Sequence, residues 1–351
     1  MEDFIRGLPK CELHMHLFGN LEPEIVFKLA KRNSISLPYQ SVDVLKKAYN
    51  FQNLDEFLLL FKVCLQVIQK PEDVYDVLYD YLNRCSKDNV RYAEIYFGTT
   101  LFLTVKISPT ETMDAIVRAI TDGYNNFKVK SKIILGLNRT AGEEVAFEHL
   151  NMFLDYLDLN KAEIKRFDIH NKPIIATGLC CSERDYPPSI YEHFYEHTRK
   201  IGLKSTIHAG EEGPSEYIRQ SIDILKADRI DHGVTATDEM IARLAKEKVP
   251  VTTCPISNLK LKVIDDIKNH PLKKQLEAGV IVSIHSDDPS YFGGYINENY
   301  IDAQKALNLS RDQIITIAKN SYISSFISEE EKQEGIKEID DYVRKFDANH
   351  H

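Results

Sequence analysis

The chain has 351 residues, 43% of them hydrophobic and 28% charged, with 44 basic against 53 acidic side chains for a formal charge of −9. A chain of this length buries roughly three quarters of its unfolded surface, so it needs no disulfide or metal staple to fold. No Lys/Arg block offers a footing for nucleic acid or an anionic membrane, and no apolar run approaches the ~18 residues of a spanning helix.

Six cysteines without a Cys-x-x-Cys pair read as reduced thiols, and the opening Met-Glu-Asp-Phe-Ile-Arg lacks the basic and apolar regions of a signal peptide. A cytoplasmic protein is expected. Along the chain, β-branched or aromatic runs at 11–16, 91–97, 132–137, 174–180, 204–208, 228–231, 250–253 and 280–284 predict eight strands. Several are continuous, such as Lys-Ile-Ile-Leu-Gly-Leu, as strands buried on both faces should be. Amphipathic stretches at 53–69, 72–88, 108–128, 189–201, 215–226, 237–248 and 311–327 alternate with them, and Pro71, Pro109, Pro188 and Pro214 sit near helix starts.

This alternation predicts a (β/α)₈ TIM-type barrel, with a doubly wound sheet as the competing arrangement. The distance from the first strand to the second implies a helical insertion over about 20–90, and the chain beyond 300 reads as C-terminal helices. Residues 1–349 form one expected domain; His350 and His351 resemble a tag remnant.

Polar chemistry gathers where these strands end, which is the functional face of a barrel. The first strand closes with His14-Met15-His16, whose i, i+2 spacing projects both imidazoles to one side. The fifth runs into His208-Ala209-Gly210-Glu211, the sixth ends Asp231-His232-Gly233, and the eighth is followed by Ser286-Asp287-Asp288-Pro289. Adjacent carboxylates repel unless a cation holds them. His14, His16, His208 and Asp287 therefore make a mononuclear metal site, and three nitrogens with one oxygen favour a single zinc ion with a water of lowered pKa. Glu211 is then the candidate acid toward a ring nitrogen, His232 the group that orients and deprotonates the water, and Asp288 a substrate hydrogen-bond partner. The reaction class is addition of water to an sp² carbon with loss of a leaving group.

Five ordered motifs now carry a resemblance: Leu8-Pro9-Lys10 through His14-Met15-His16-Leu17, His208-Ala209-Gly210-Glu211, Asp231-His232-Gly233, Cys254-Pro255-Ile256-Ser257-Asn258 and Ser286-Asp287-Asp288-Pro289. Across nearly its whole length the chain resembles the adenosine and adenine deaminase family of the amidohydrolase superfamily. Tyr291-Phe292-Gly293-Gly294-Tyr295 and the segment Leu21-Glu22-Pro23-Glu24 resemble its adenine deaminase branch. The resemblance implies zinc ligands at His14, His16, His208 and Asp287, a proton donor to N1 at Glu211, a water-activating imidazole at His232 and an N7 partner at Asp288. It implies conversion of adenine to hypoxanthine and ammonia.

Phe18, Gly98-Thr99-Thr100, Cys180-Cys181 and His285 depart from the family pattern, and Phe18 replaces an acid associated with the ribose end of the substrate. These positions leave the metal and proton-transfer set intact and bear on the substrate, with Phe18 and Cys181 expected at the purine. Deamination of N6-substituted adenines or of nucleosides is the alternative, and an inactive purine-binding protein the remote one. Tyr291 and Phe292 are expected to wall the pocket.

Overall fold

A computed structural model describes residues 1–153 and 173–350; His351, read above as part of a tag remnant, lies outside them. Eight strands, β1 (Lys10–His16), β2 (Val90–Gly98), β3 (Lys130–Asn138), β4 (Ile174–Cys180), β5 (Lys204–Ala209), β6 (Arg229–His232), β7 (Val251–Thr253) and β8 (Val282–Ile284), pair in parallel and in chain order. The run Lys-Ile-Ile-Leu-Gly-Leu lies in β3, almost wholly buried as a parallel strand covered on both faces. The (β/α)₈ barrel is thus present, and the doubly wound alternative falls because strand order follows chain order.

The seam between β8 and β1 uses few backbone bonds. At its mouth, Asp287 N–H donates to His14 O and His16 N–H to Asp287 O, both at 2.9 Å. Deeper in, Leu13 N–H donates to His285 Nδ1 at 3.0 Å, so a side chain stands where a ladder carbonyl would. His285 is fully buried there and does not border the cavity described below, so its departure acts on barrel closure.

The helices begin where their capping residues dictate. Asn53 accepts from Glu56 N–H, Ser108 from Glu111 N–H and Thr237 from Met240 N–H, each satisfying an orphan donor of the first turn. Between β1 and β2 lie Pro23–Asn33, Val42–Ala48, Leu54–Leu65 and Pro71–Lys87. The last packs against β2 and against Pro109–Phe127, as a barrel helix does, so the insertion proper is the first three and is shorter than 20–90. The C-terminal helices are Ile296–Leu307, Arg311–Ile323 and Glu329–His350; Arg311–Ile323 covers β8 and β1. Among the described residues no helix is long and apolar enough to cross a membrane.

Candidate active site

An open cavity of about 690 Å³ lies at the carboxyl ends of the strands. Its floor is polar, with His16, His208, Glu211, His232, Asp287 and Asp288; its upper wall is apolar, built from Phe18 and from Leu54, Phe57 and Phe61 of the insertion. Cys180, Cys181, Gly98 and Thr100 border the same space. Tyr291 and Phe292 do not. They are buried behind the wall, Tyr291 stacked on Tyr49 at 4.7 Å and Phe292 against Phe57 at 4.9 Å, where they seat the Leu54–Leu65 helix. The expectation that they wall the pocket is corrected accordingly.

The structure brings the predicted donor atoms to one point. His14 Nε2 and His16 Nε2 each lie 3.2 Å from His208 Nε2. Asp287 Oδ1 lies 3.4 Å from His14 Nε2 and 3.2 Å from His16 Nε2. Neutral imidazoles share at most one proton per contact, so three ring nitrogens and a carboxylate oxygen this close form a site that favours a cation among them. Tetrahedral bonds of about 2.0–2.1 Å, those of zinc to nitrogen and oxygen, set ligand edges of roughly 3.3–3.4 Å, so the donor set fits a metal ion. His14, His208, His232 and Asp287 also gather within 4.8 Å, which places His232 beside the same point.

A layer of polar side chains lies behind these donors. His14 Nδ1–H donates to Thr252 Oγ1 at 3.0 Å, and that hydroxyl donates to Asp231 Oδ1 at 2.5 Å. His208 Nδ1 is 3.3 Å from Asp231 Oδ2, an oxygen that accepts from Thr206 Oγ1 at 2.6 Å and from Tyr96. The His14 ring therefore turns an unprotonated Nε2 to the cavity, while His208 Nδ1 faces Asp231 without a hydrogen bond among the described residues. Burial holds His208 down at about 4, a neutral ligand-ready ring. Burial would raise Asp231, but His14, His208 and Arg229 outweigh it and keep it well below the usual carboxylate range. Burial also works against a charged His16, yet Asp288 and Asp287 outweigh it and hold the ring up at about 9, which marks a spot that favours positive charge.

Cys181, His232 and Asp287, each just past or at a strand end, have φ of 72°, 69° and 63°. Such left-handed non-glycine residues cost of order 1 kcal/mol or more and break the strand's alternation, here turning three side chains toward the cavity. Asp287 is held in that pose by Ser257 Oγ, which donates to its Oδ2 at 2.6 Å.

Glu211 is 3% exposed; burial pushes its carboxyl well above the usual range, and Asp287 and Glu183 push the same way. Its Oε2 lies 3.6 Å from His232 Nε2, while Oε1 has no hydrogen-bond partner among the described residues; the residue lines the cavity. A buried, protonated carboxyl with an unpartnered oxygen beside this cavity is equipped to donate a proton. Burial likewise pushes Asp288 well up.

Sequence reasoning missed Asp231, Thr252, Tyr96, Arg139 and Glu183, because their roles are to hold other residues. Asp231 sat beside His232 in a motif already singled out, and Ser257 and Asn258 sat in another; Glu183 and Arg139 had no local signal.

A (β/α)₈ barrel whose strand ends converge three imidazoles, a carboxylate and a buried acid is the framework of a metal-assisted hydrolase. The family described as adenosine deaminase matches residues 9–342. An adenine deaminase of Acinetobacter baylyi is 42% identical over 339 residues, covering 96% of this chain and 98% of its own. One of Hahella chejuensis is 38% identical over 346 residues, covering 98% and 99%. The crystal structure of an adenine deaminase from Arthrobacter aurescens superposes with a TM-score of 0.89 at 35% identity, covering 96% of this chain and 99% of that one. The chain belongs to the adenosine deaminase family.

Proposed function

We propose that this single-domain protein is a purine aminohydrolase that converts adenine to hypoxanthine and ammonia in the cytoplasm. The observation that carries the reading is the pairing of Glu211, a buried acid with one free oxygen, with the donor cluster across the same cavity. Full-length relatives named adenine deaminase support adenine as the substrate.

One zinc ion held by His14, His16, His208 and Asp287 would supply a water of pKa near 7 as the nucleophile. The other steps belong to this chain's own residues. Glu211 gives its proton to N1, which draws electron density from C6 and opens it to the water oxygen. His232, beside the donor cluster, orients that water. Asp288 partners N7 and, with Phe18 and Cys181, sets the purine plane. Collapse of the tetrahedral carbon then releases ammonia: the proton shed by the attacking water passes to the departing amine, and the hydroxyl proton lost as C6=O forms restores Glu211.

Ammonia release from the zinc-loaded protein, read as kcat/KM across adenine, adenosine, N6-methyladenine and a longer N6-alkyladenine, tests the assignment. Adenine is expected to lead. The apolar wall of Phe18, Leu54, Phe57 and Phe61 is what favours the second reading, and a clear lead for an N6-alkyladenine would select it. Turnover of adenosine above both would overturn the free-base assignment.

A further inference from the structure

A chain of buried hydrogen bonds determines which nitrogen of His232 carries the ring proton. It begins outside the site, at His270 in the loop after the Pro255–Lys260 helix. Leu272 N–H donates to His270 Nδ1 at 3.0 Å. A neutral imidazole has a single N–H, so His270 carries it on Nε2. Burial keeps this ring neutral, with its pKa pushed down to about 3. His270 Nε2–H faces two acceptors, Thr253 Oγ1 at 3.0 Å and Asn258 Oδ1 at 3.1 Å.

The carboxamide of Asn258 is thereby oriented. Turned the other way, its NH₂ would meet an N–H, donor against donor in a fully buried place, which costs a desolvated polar group. With the oxygen toward His270, the NH₂ lies 3.3 Å from His232 Nδ1. An NH₂ only donates, so Nδ1 of His232 accepts. The ring proton is left on Nε2, the nitrogen that faces Glu211.

We infer that His270 and Asn258 are positioning residues that hold His232 in its Nε2–H tautomer, so that His232 presents a hydrogen-bond donor to the reaction centre. The ring then orients the water, or steadies the oxygen as it bonds C6, without taking its proton at Nε2. The carboxylate of Asp287, which borders the same space, is the acceptor left for that proton. What the donor does rests on the deaminase reading above; the tautomer itself does not.

Long-range ¹H–¹⁵N spectra of the zinc-loaded protein, labelled at histidine, read the tautomer directly, with His232 assigned by its loss in His232→Gln. The expected result is a proton on Nε2 in both His232 and His270; a proton on Nδ1 of His232 overturns the inference. Asn258→Asp replaces the NH₂ with a second acceptor and should move the His232 proton to Nδ1. In that variant kcat for adenine should fall at least about 10-fold with KM within about threefold, because a lost donor acts in the transition state. A switched tautomer with undiminished kcat would overturn the donor role. If Asn258→Asp does not fold, the wild-type spectrum alone decides the tautomer. Wild-type protein that turns over no purine would defeat the deaminase reading while leaving the tautomer measured.

Discussion

Glu183 sets the position of Glu211 from outside the cavity. Its Oε2 accepts from Gly213 N–H and its Oε1 from Glu211 N–H at 3.5 Å, while Arg139, itself fully buried, lies 4.0 Å from Oε1 and donates to His208 O. Because one oxygen of Glu211 has no partner among the described residues, its carboxyl is located mainly through its backbone. A Cβ on Gly213 would collide with Glu183 Oε2, so a side chain there would push the clamp away.

Loosening that clamp should show in turnover before metal content. Glu183→Gln keeps the volume but offers one carbonyl oxygen to two N–H groups. We expect kcat to fall about 10- to 100-fold, the range of a misplaced general acid, with zinc stoichiometry unchanged by metal analysis. Loss of metal in step with activity would show instead that Glu183 supports the whole strand-end layer.

Glu211 also predicts a pH dependence with a definite sign. The acid works only while protonated, and burial raises its pKa, so kcat/KM should decline as pH climbs through that raised value. Glu211→Gln should lower kcat by at least about 100-fold, and its residual rate should lack this alkaline limb. Unchanged turnover would exclude Glu211 as the acid.

The same shift carries a stability consequence. Above pH ~4.5 the unfolded carboxyl is ionised while the folded one stays protonated, so the folded state binds more protons and stability falls as pH rises toward the raised value. Glu211→Gln removes this liability. Its Tm should exceed that of the wild type at neutral pH, with the gap closing below about pH 4.5. A gap independent of pH would refute the assignment.

Asp287→Ala and Asp231→Asn separate the donor cluster from its support. Removing Asp287 should abolish tight zinc retention through dialysis. Asp231→Asn leaves the donor atoms but weakens the acceptor behind His14 and His208, and should cost about 10- to 100-fold in zinc affinity. Chelation of the wild type should abolish ammonia release and lower Tm, since an ion that binds only the folded state stabilises it by mass action. Full zinc occupancy in Asp287→Ala would contradict the ligand set.

Sequence alone determined a good deal here. The eight strands were legible because parallel barrel strands, covered on both faces, leave runs such as Lys-Ile-Ile-Leu-Gly-Leu, and the helices because caps and prolines mark their starts. The candidate donor cluster was legible for the same local reason: His14 and His16 share a strand face by period alone, and His208 and Asp287 fall where strands stop.

Tertiary structure decided what local periodicity cannot encode. Asp231, Thr252 and Tyr96 meet behind two histidines from different strands, and Glu183 reaches Glu211 across two loops. Tyr291 and Phe292 face the insertion and not the cavity, because the Leu54–Leu65 helix comes down over them. The tautomer of His232 depends on an amide at Leu272, forty residues away, and only the packed barrel connects the two.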